Sequence, residues 1–158
     1  MVRLEIRSAD LDDPVAVQLI AELNAEFQDR YDEPVDRFYL QLDAAEVAPG
    51  RGAFVLASVA DQVVGCGAVR LIGDDTAELK RMYVVPACRR RGVAAAILRS
   101  LEAEALGLGA SRVVLETVRD PPAAVGLYRA AGYVEIAKFG PYLGSEISFC
   151  MGKKLGPA

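Results

Sequence analysis

At 158 residues the chain has the size of one domain, and a hydrophobic content of 53% supplies a sizeable core and excludes disorder. A net charge of −4 argues against a general nucleic-acid binder, and no apolar run approaches the roughly 18 residues of a membrane span. The absence of histidine removes histidine bases, triads and metal ligands, so proton transfer falls to carboxylates, tyrosines, cysteines, lysines or water. Cys66, Cys88 and Cys150 are widely spaced, as expected of reduced thiols rather than a disulfide framework or a zinc site. The segment MVRLEIRSADLDD has no apolar core of a secretion signal, so a cytoplasmic location is expected.

Val2 to Arg7 alternates apolar and charged residues, the pattern of a short strand. Asp12-Asp13-Pro14 opens a helix, with an aspartate cap and proline in the first turn, and Ala16, Ile20, Leu23 and Phe27 give it an apolar stripe. A second short helix is expected over Val35 to Ala45, followed by a loop at Pro49-Gly50-Arg51-Gly52. Ala53 to Ala60 and Val63 to Ile72 read as strands joined by a tight turn at Asp61-Gln62. Gly65 and Gly67 weaken the second strand and admit a close neighbour. The next strand carries Glu78 and runs through Leu79 to Val85, where Pro86 stops it. A helix follows with Ala94, Ile97, Leu98, Leu101 and Ala105 on one face, ending near Gly107 and Gly109. Arg112 to Val118 is a strand, and a strand–helix–strand unit of this length predicts a right-handed crossover with parallel strands. A short helix runs from Pro121-Pro122 to Ala131, then strands over Tyr133 to Ala137 and Glu146 to Lys153 around a long turn.

The junction before the main helix is chemically odd. Arg89, Arg90, Arg91 and Gly92 sit where a helix N-terminus already carries partial positive charge, so structure alone favours acids there. An anion docked between them resolves the conflict, with Gly92 and Ala94 permitting close backbone approach. A solvated basic turn is the plain alternative. The Gly-Lys-Ser/Thr ending of a nucleotide P-loop is missing, and so are the spaced glycines of a dinucleotide fingerprint.

What is present is Arg89-x-x-Gly92-x-Ala94 after Tyr-Val-Val-Pro, and further on Leu127-Tyr128-Arg129-Ala130-Ala131-Gly132-Tyr133. The first resembles the acetyl-coenzyme A motif Q/R-x-x-G-x-G/A of the GNAT superfamily of N-acetyltransferases. The second is similar to its LYxxxGF/Y signature. The resemblance is close over residues 53 to 137 and weaker over the first third of the chain. It implies an α/β (α+β) fold occupying residues 1–158 as a single domain. That fold has one mixed, mostly antiparallel sheet of six to seven strands, helices on both faces, and a parallel, splayed pair in the middle. It implies acetyl-coenzyme A as co-substrate, no metal, and a small-molecule or peptide amine as partner rather than nucleic acid or membrane. Dimers are common among such proteins, which leaves a homodimer open.

By the same resemblance the backbone from Arg90 to Ala95, including Val93 and Ala95, binds pyrophosphate with the arginine side chains. The edge Met82, Tyr83 and Val84 pairs with the pantetheine arm and polarises the thioester carbonyl. Glu78 stands where histone-acetylating members carry their glutamate base; an ion pair with Lys80 or Arg81 is the structural alternative, and Glu116 or a water chain are the other bases. Strand alternation groups Glu78, Lys80, Met82 and Val84 on one face unless a bulge intervenes. Tyr128 matches the tyrosine facing the coenzyme sulfur, a phenol with ordinary pKa near 10 that can protonate a departing thiolate. Pro121 departs from the pattern, standing where many members carry Asn or Gln; Asp120 or a water would take over that contact. Three functions remain open on sequence: an N-acetyltransferase, a non-catalytic acyl-coenzyme A-binding module, and an α/β protein binding a simple nucleotide or phosphate.

Overall fold

The computed structural model describes residues 3–30, 42–119 and 122–156. Strand β1 (Leu4–Ser8) leads into helix α1 (Pro14–Arg30). The Asp13 carboxylate accepts the Val15 N–H at 2.9 Å, so the aspartate before Pro14 caps the first turn. Ala16 and Leu19 are buried on α1, with Ile20 and Leu23 half-buried beside them. Of the expected helix over Val35 to Ala45, residues 35–41 lie outside the described residues, which omit 31–41. Ala44–Val47 forms only a short 3-10 turn, closed by the Asp43 N–H donating to Glu46 at 3.0 Å.

Strands β2 (Gly52–Val59) and β3 (Gln62–Leu71) form the expected hairpin, but the register Val59↔Gln62 puts its two-residue turn at Ala60-Asp61. Both turn residues have positive φ, 52° and 67°, the geometry that matches the twist of paired strands. Strand β4 (Thr76–Val84), helix α2 (Val93–Gly107) and strand β5 (Arg112–Val118) follow, then helix α3 (Ala123–Ala130), strand β6 (Val134–Glu135) and strand β7 (Ser148–Lys154).

The seven strands form one sheet in the order β1-β2-β3-β4-β5-β7-β6. Only β4 and β5 pair in parallel, as the α2 crossover requires; every other neighbour is antiparallel. Helices α2 and α3 cover one face, where Ile97, Leu98 and Leu101 pack with Val55, Val69, Leu79, Leu115 and Tyr128. Helix α1 covers the other, packing Ala16 and Leu19 on Phe54, Leu56, Cys66 and Tyr83. The close neighbour that Gly65 and Gly67 admit is α2 itself. A Cβ on Gly67 would stand 2.7 Å from the Ile97 side chain and 2.8 Å from Leu101. The helix therefore lies directly on the backbone of β3, beside the strand that forms the site. No helix among the described residues is long and apolar enough to cross a membrane.

Candidate active site

The parallel pairing of β4 with β5 runs from Thr76↔Arg112 to Leu79↔Leu115 and stops. Beyond it Lys80 to Val84 and Glu116 to Val118 diverge and leave a gap through the sheet. The cause lies partly on the other edge of β4. Between Cys66↔Tyr83 and Ala68↔Lys80 the β3 strand advances by one fewer residue, so β4 bulges at Arg81-Met82. Arg81 takes φ 60°, and its carbonyl accepts the Cys66 thiol at 3.2 Å. Burial pushes that thiol up to about 12, which keeps it protonated as the donor.

The bulge overturns the expected alternation. Leu79, Met82 and Val84 face α2, while Tyr83 packs toward α1 and the Glu78 carboxylate meets Tyr142 on that side. Lys80, opposite Leu79 in the pleat, shares the α1 side with Glu78. The gap opens into a cleft of about 650 Å³ that passes from one side of the sheet to the other. Its α2 side is lined by Met82, Val84, Val93, Ala94, Leu127 and Tyr128; its α1 side by Phe27, Lys80, Arg81, Tyr83, Glu116 and Tyr142.

The N-terminus of α2 closes one end. Gly92 sits at the cap with φ 82°, a left-handed conformation that glycine adopts freely, and nothing lies within 4 Å of where its Cβ would be. The helical ladder begins with the Ala96 N–H donating to Gly92 O at 3.1 Å. The preceding amides are left for an outside acceptor, and no acidic residue occupies the first turn. The three arginines are not equivalent. Arg89 lines the cleft but is tied to the fold: its Nε donates to Val84 O at 2.8 Å, it pairs with Glu26 at 2.6 Å, and it stacks over Tyr83. It therefore ties the end of β4 to α1. Arg90 lines the cleft and is exposed; Arg91 is exposed and does not line it. Ala95 lines the cleft with Ala94. These orphan amides and the Arg90 cation fit a pyrophosphate, and the unpaired edge of β4 fits an amide-bearing arm.

Tyr128 is 6% exposed and lines the cleft, edge-on to Tyr133 with ring centroids 5.8 Å apart. Its hydroxyl makes no hydrogen bond among the described residues. Burial first, and the Glu116 carboxylate second, push the phenol well above its ordinary value, so it holds its proton. Glu78 is placed differently from a cleft base. It is 1% exposed and absent from the lining. Arg70 grips Oε1 through Nε at 3.1 Å and Nη2 at 2.8 Å, and the Tyr142 hydroxyl donates to Oε2 at 2.6 Å. Its ion-pair partner is thus Arg70 rather than Lys80 or Arg81. Glu116 is half-buried, lines the cleft, and accepts the Ser148 hydroxyl at 2.6 Å.

Comparison with known proteins completes the assignment. Residues 16–133 match the family model described as Acetyltransferase (GNAT) family. This chain belongs to that family. An IAA acetyltransferase of Azospirillum brasilense is 35% identical over 150 residues, 94% of this chain and 95% of that protein. A structure from Klebsiella pneumoniae, solved as a candidate acyl-CoA N-acyltransferase, superposes with a TM-score of 0.82 at 29% identity, covering 97% and 98% of the two chains. The fold also matches an aminoglycoside 6'-N-acetyltransferase complexed with coenzyme A, with a TM-score of 0.70 at 17% identity and 98% coverage of each chain. The protein is accordingly an acetyl-coenzyme A-dependent acyltransferase.

Several residues of this GNAT acyltransferase site were not singled out by sequence. Arg70 faces Glu78 directly across the β3–β4 register, and it also pairs with Glu46, so it bridges the 3-10 turn to the sheet. Extending the hairpin register from the turn at Asp74-Asp75 could have found it. Tyr142, by contrast, sits on the late turn that the resemblance gives to the acceptor site, and a 3-10 turn at Gly140–Tyr142 folds it inward to 2% exposure. Lys80 was expected only as an ion-pair partner, yet it lines the cleft. Asp120, Pro121 and the acids and aromatics of residues 31–41 lie outside the described residues.

Proposed function

We propose that the protein is an N-acetyltransferase that moves an acetyl group directly to a primary amine of a small molecule or peptide within a ternary complex. The observation carrying this reading is the single cleft through the splayed β4–β5 pair. It joins the orphan amides of α2 to a protonated tyrosine on one side and a carboxylate on the other.

Acetyl-coenzyme A supplies an activated thioester. The amides of Gly92 to Ala95 and the Arg90 side chain hold its pyrophosphate at the helix N-terminus. The free edge of Met82, Tyr83 and Val84 pairs with the arm and donates to the acyl oxygen. Glu116, on the α1 side, takes the proton from the attacking amine; its register partner Cys150 packs against Tyr142 on that same face. Tyr128, on the α2 side, gives its proton to the sulfur as the carbon–sulfur bond breaks and the carbon–nitrogen bond forms. Glu78 acts from behind, orienting Tyr142 toward the acceptor, and is a positioning residue.

Coenzyme A release measured across a panel of amines tests the reading. Amine-dependent release supports it. Tight acetyl-coenzyme A binding with no release above solvent hydrolysis for any amine points instead to a site that transfers its acyl group elsewhere.

A further inference from the structure

The α1 side of the cleft contains a lysine that holds no salt bridge among the described residues. Lys80 is 7% exposed, lines the cleft, and has neither hydrogen bond nor ion pair among the described residues. Glu78 and Glu116 attract it at longer range; Glu78 is held by Arg70 and Tyr142, while Glu116 accepts from Ser148 and still lines the cleft. Arg81, the next residue, adds a second positive charge. Its Nη1 donates to Asn24 at 3.0 Å, and among the described residues no carboxylate pairs with it and its buried Nε finds no acceptor. Arg70 is matched by Glu46 and Glu78, which leaves Lys80 and Arg81 as neighbouring cations that hold no carboxylate in a salt bridge among the described residues.

A lysine that is 7% exposed, and whose ammonium meets no protein acceptor among the described residues, is unfavourable unless a ligand in the cleft completes it. Ordinary packing would fill the position with an apolar residue. The pyrophosphate does not meet this need, because its cradle lies at the α2 terminus and Lys80 faces α1. The cleft on that side therefore offers a carboxylate acceptor of protons at Glu116, an ammonium at Lys80, and aromatic walls from Phe27, Tyr83 and Tyr142. That arrangement is complementary to a zwitterion.

We propose that the acceptor is an amino acid: Lys80, backed by Arg81, binds its carboxylate while Glu116 faces its amine. The inference rests on the reading of the α1 side as the acceptor side of an N-acetyltransferase. It selects a free amino acid over a peptide N-terminus, whose amine has an amide rather than a carboxylate beside it. Lys80 is then a specificity-determining residue that touches substrate without taking part in proton transfer.

The test uses matched pairs, each free amino acid against its own amide, in two readouts. In turnover, wild type should favour acids over amides by at least tenfold in kcat/KM for the preferred side chain. Lys80→Met should abolish the preference, Lys80→Arg should retain part of it, and KM for acetyl-coenzyme A should be unchanged in both. In binding, the complex with coenzyme A should be stabilised by the acid and not by the amide, whether or not turnover occurs. Thermal denaturation of Lys80→Met with coenzyme A checks that the variant is folded. Amides acetylated as well as acids, or an acid preference that survives Lys80→Met, overturns the inference and leaves the N-acetyltransferase reading standing. Acid-selective binding without acetylation of any amine does the reverse.

Discussion

The hydroxyl of Tyr142 donates to the carboxylate of Glu78 at 2.6 Å, joining residues 64 apart in sequence inside the sheet. Tyr142 touches the cleft and Glu78 does not. Glu78 therefore acts on the cleft only through its neighbours, by this bond to Tyr142 and by its charge on Lys80. Tyr142→Phe should cost about 1.5–3 kcal/mol of stability, the range for a hydrogen bond to a charged group. If Glu78 positions Tyr142, Glu78→Gln and Tyr142→Phe should each lower kcat, and the double variant should be little worse than either. Lowered thermal stability with wild-type kcat in both variants would restrict the pair to a structural role.

Glu116→Gln should lower kcat by roughly 10²-fold or more, the contribution of a positioned general base. The deficit should shrink at high pH, where the free amine no longer needs a base. Ser148→Ala leaves the carboxylate in the cleft and removes one donor to it, so its effect should be much smaller. A steady-state pH profile of the three proteins distinguishes these outcomes.

Tyr128→Phe keeps the ring against Tyr133 and deletes the proton. Acetyl-coenzyme A should bind nearly normally while kcat falls roughly 10- to 10³-fold. A pKa near 10 would put a descending limb in the accessible alkaline range. Burial raises the phenol, so deprotonation occurs only at higher pH, and wild type should show no limb from this group below its ordinary value. Single-turnover rates check that chemistry is being observed.

Gly92→Asp places a negative charge at the α2 amides and should weaken acetyl-coenzyme A at least tenfold, about 1.4 kcal/mol. The backbone at φ 82° disfavours other side chains, so Gly92→Asn, which tolerates that region, is the control for strain. The Asn variant should bind more tightly than the Asp variant. Wild-type affinity should fall with salt, measured by titration calorimetry at two ionic strengths. Equal binding by wild type and a folded Gly92→Asp removes the pyrophosphate from this turn.

Burial lowers the Lys80 ammonium from 10.5 to about 8, offset in part by Glu78. The unfolded chain therefore binds more protons between those values, and stability from this group rises with pH there. Below about pH 8 the charged, buried lysine is a standing cost. Lys80→Met should be more stable than wild type at pH 7, and the difference should narrow toward pH 10. Urea denaturation at the two pH values measures it. An unchanged difference across that interval would mean that the lysine is solvated in the folded protein.

The sequence alone determined the local features. The strand–turn–helix at Val84 to Ala95, the glycine at the α2 cap, and the segment from Leu127 to Tyr133 are set by residues a few positions apart. Arg112 to Val118 could be bounded correctly because alternation and flanking turns are likewise local. The parallel pair and its crossover followed from the length of the connecting helix. What only the tertiary structure decided is which side chains face which side of the cleft and which charges are already spent. Alternation counts residues by two, and the bulge at Arg81-Met82 adds one, so Met82 and Val84 part company with Glu78 and Lys80. The bulge itself depends on pairing with β3. Glu78 and Glu116 look alike in sequence; Arg70 and Tyr142, brought from another strand and a distant turn, enclose the first, while the second faces the cleft. A carboxylate's chemistry is fixed by the donors around it, and those donors are chosen by the fold.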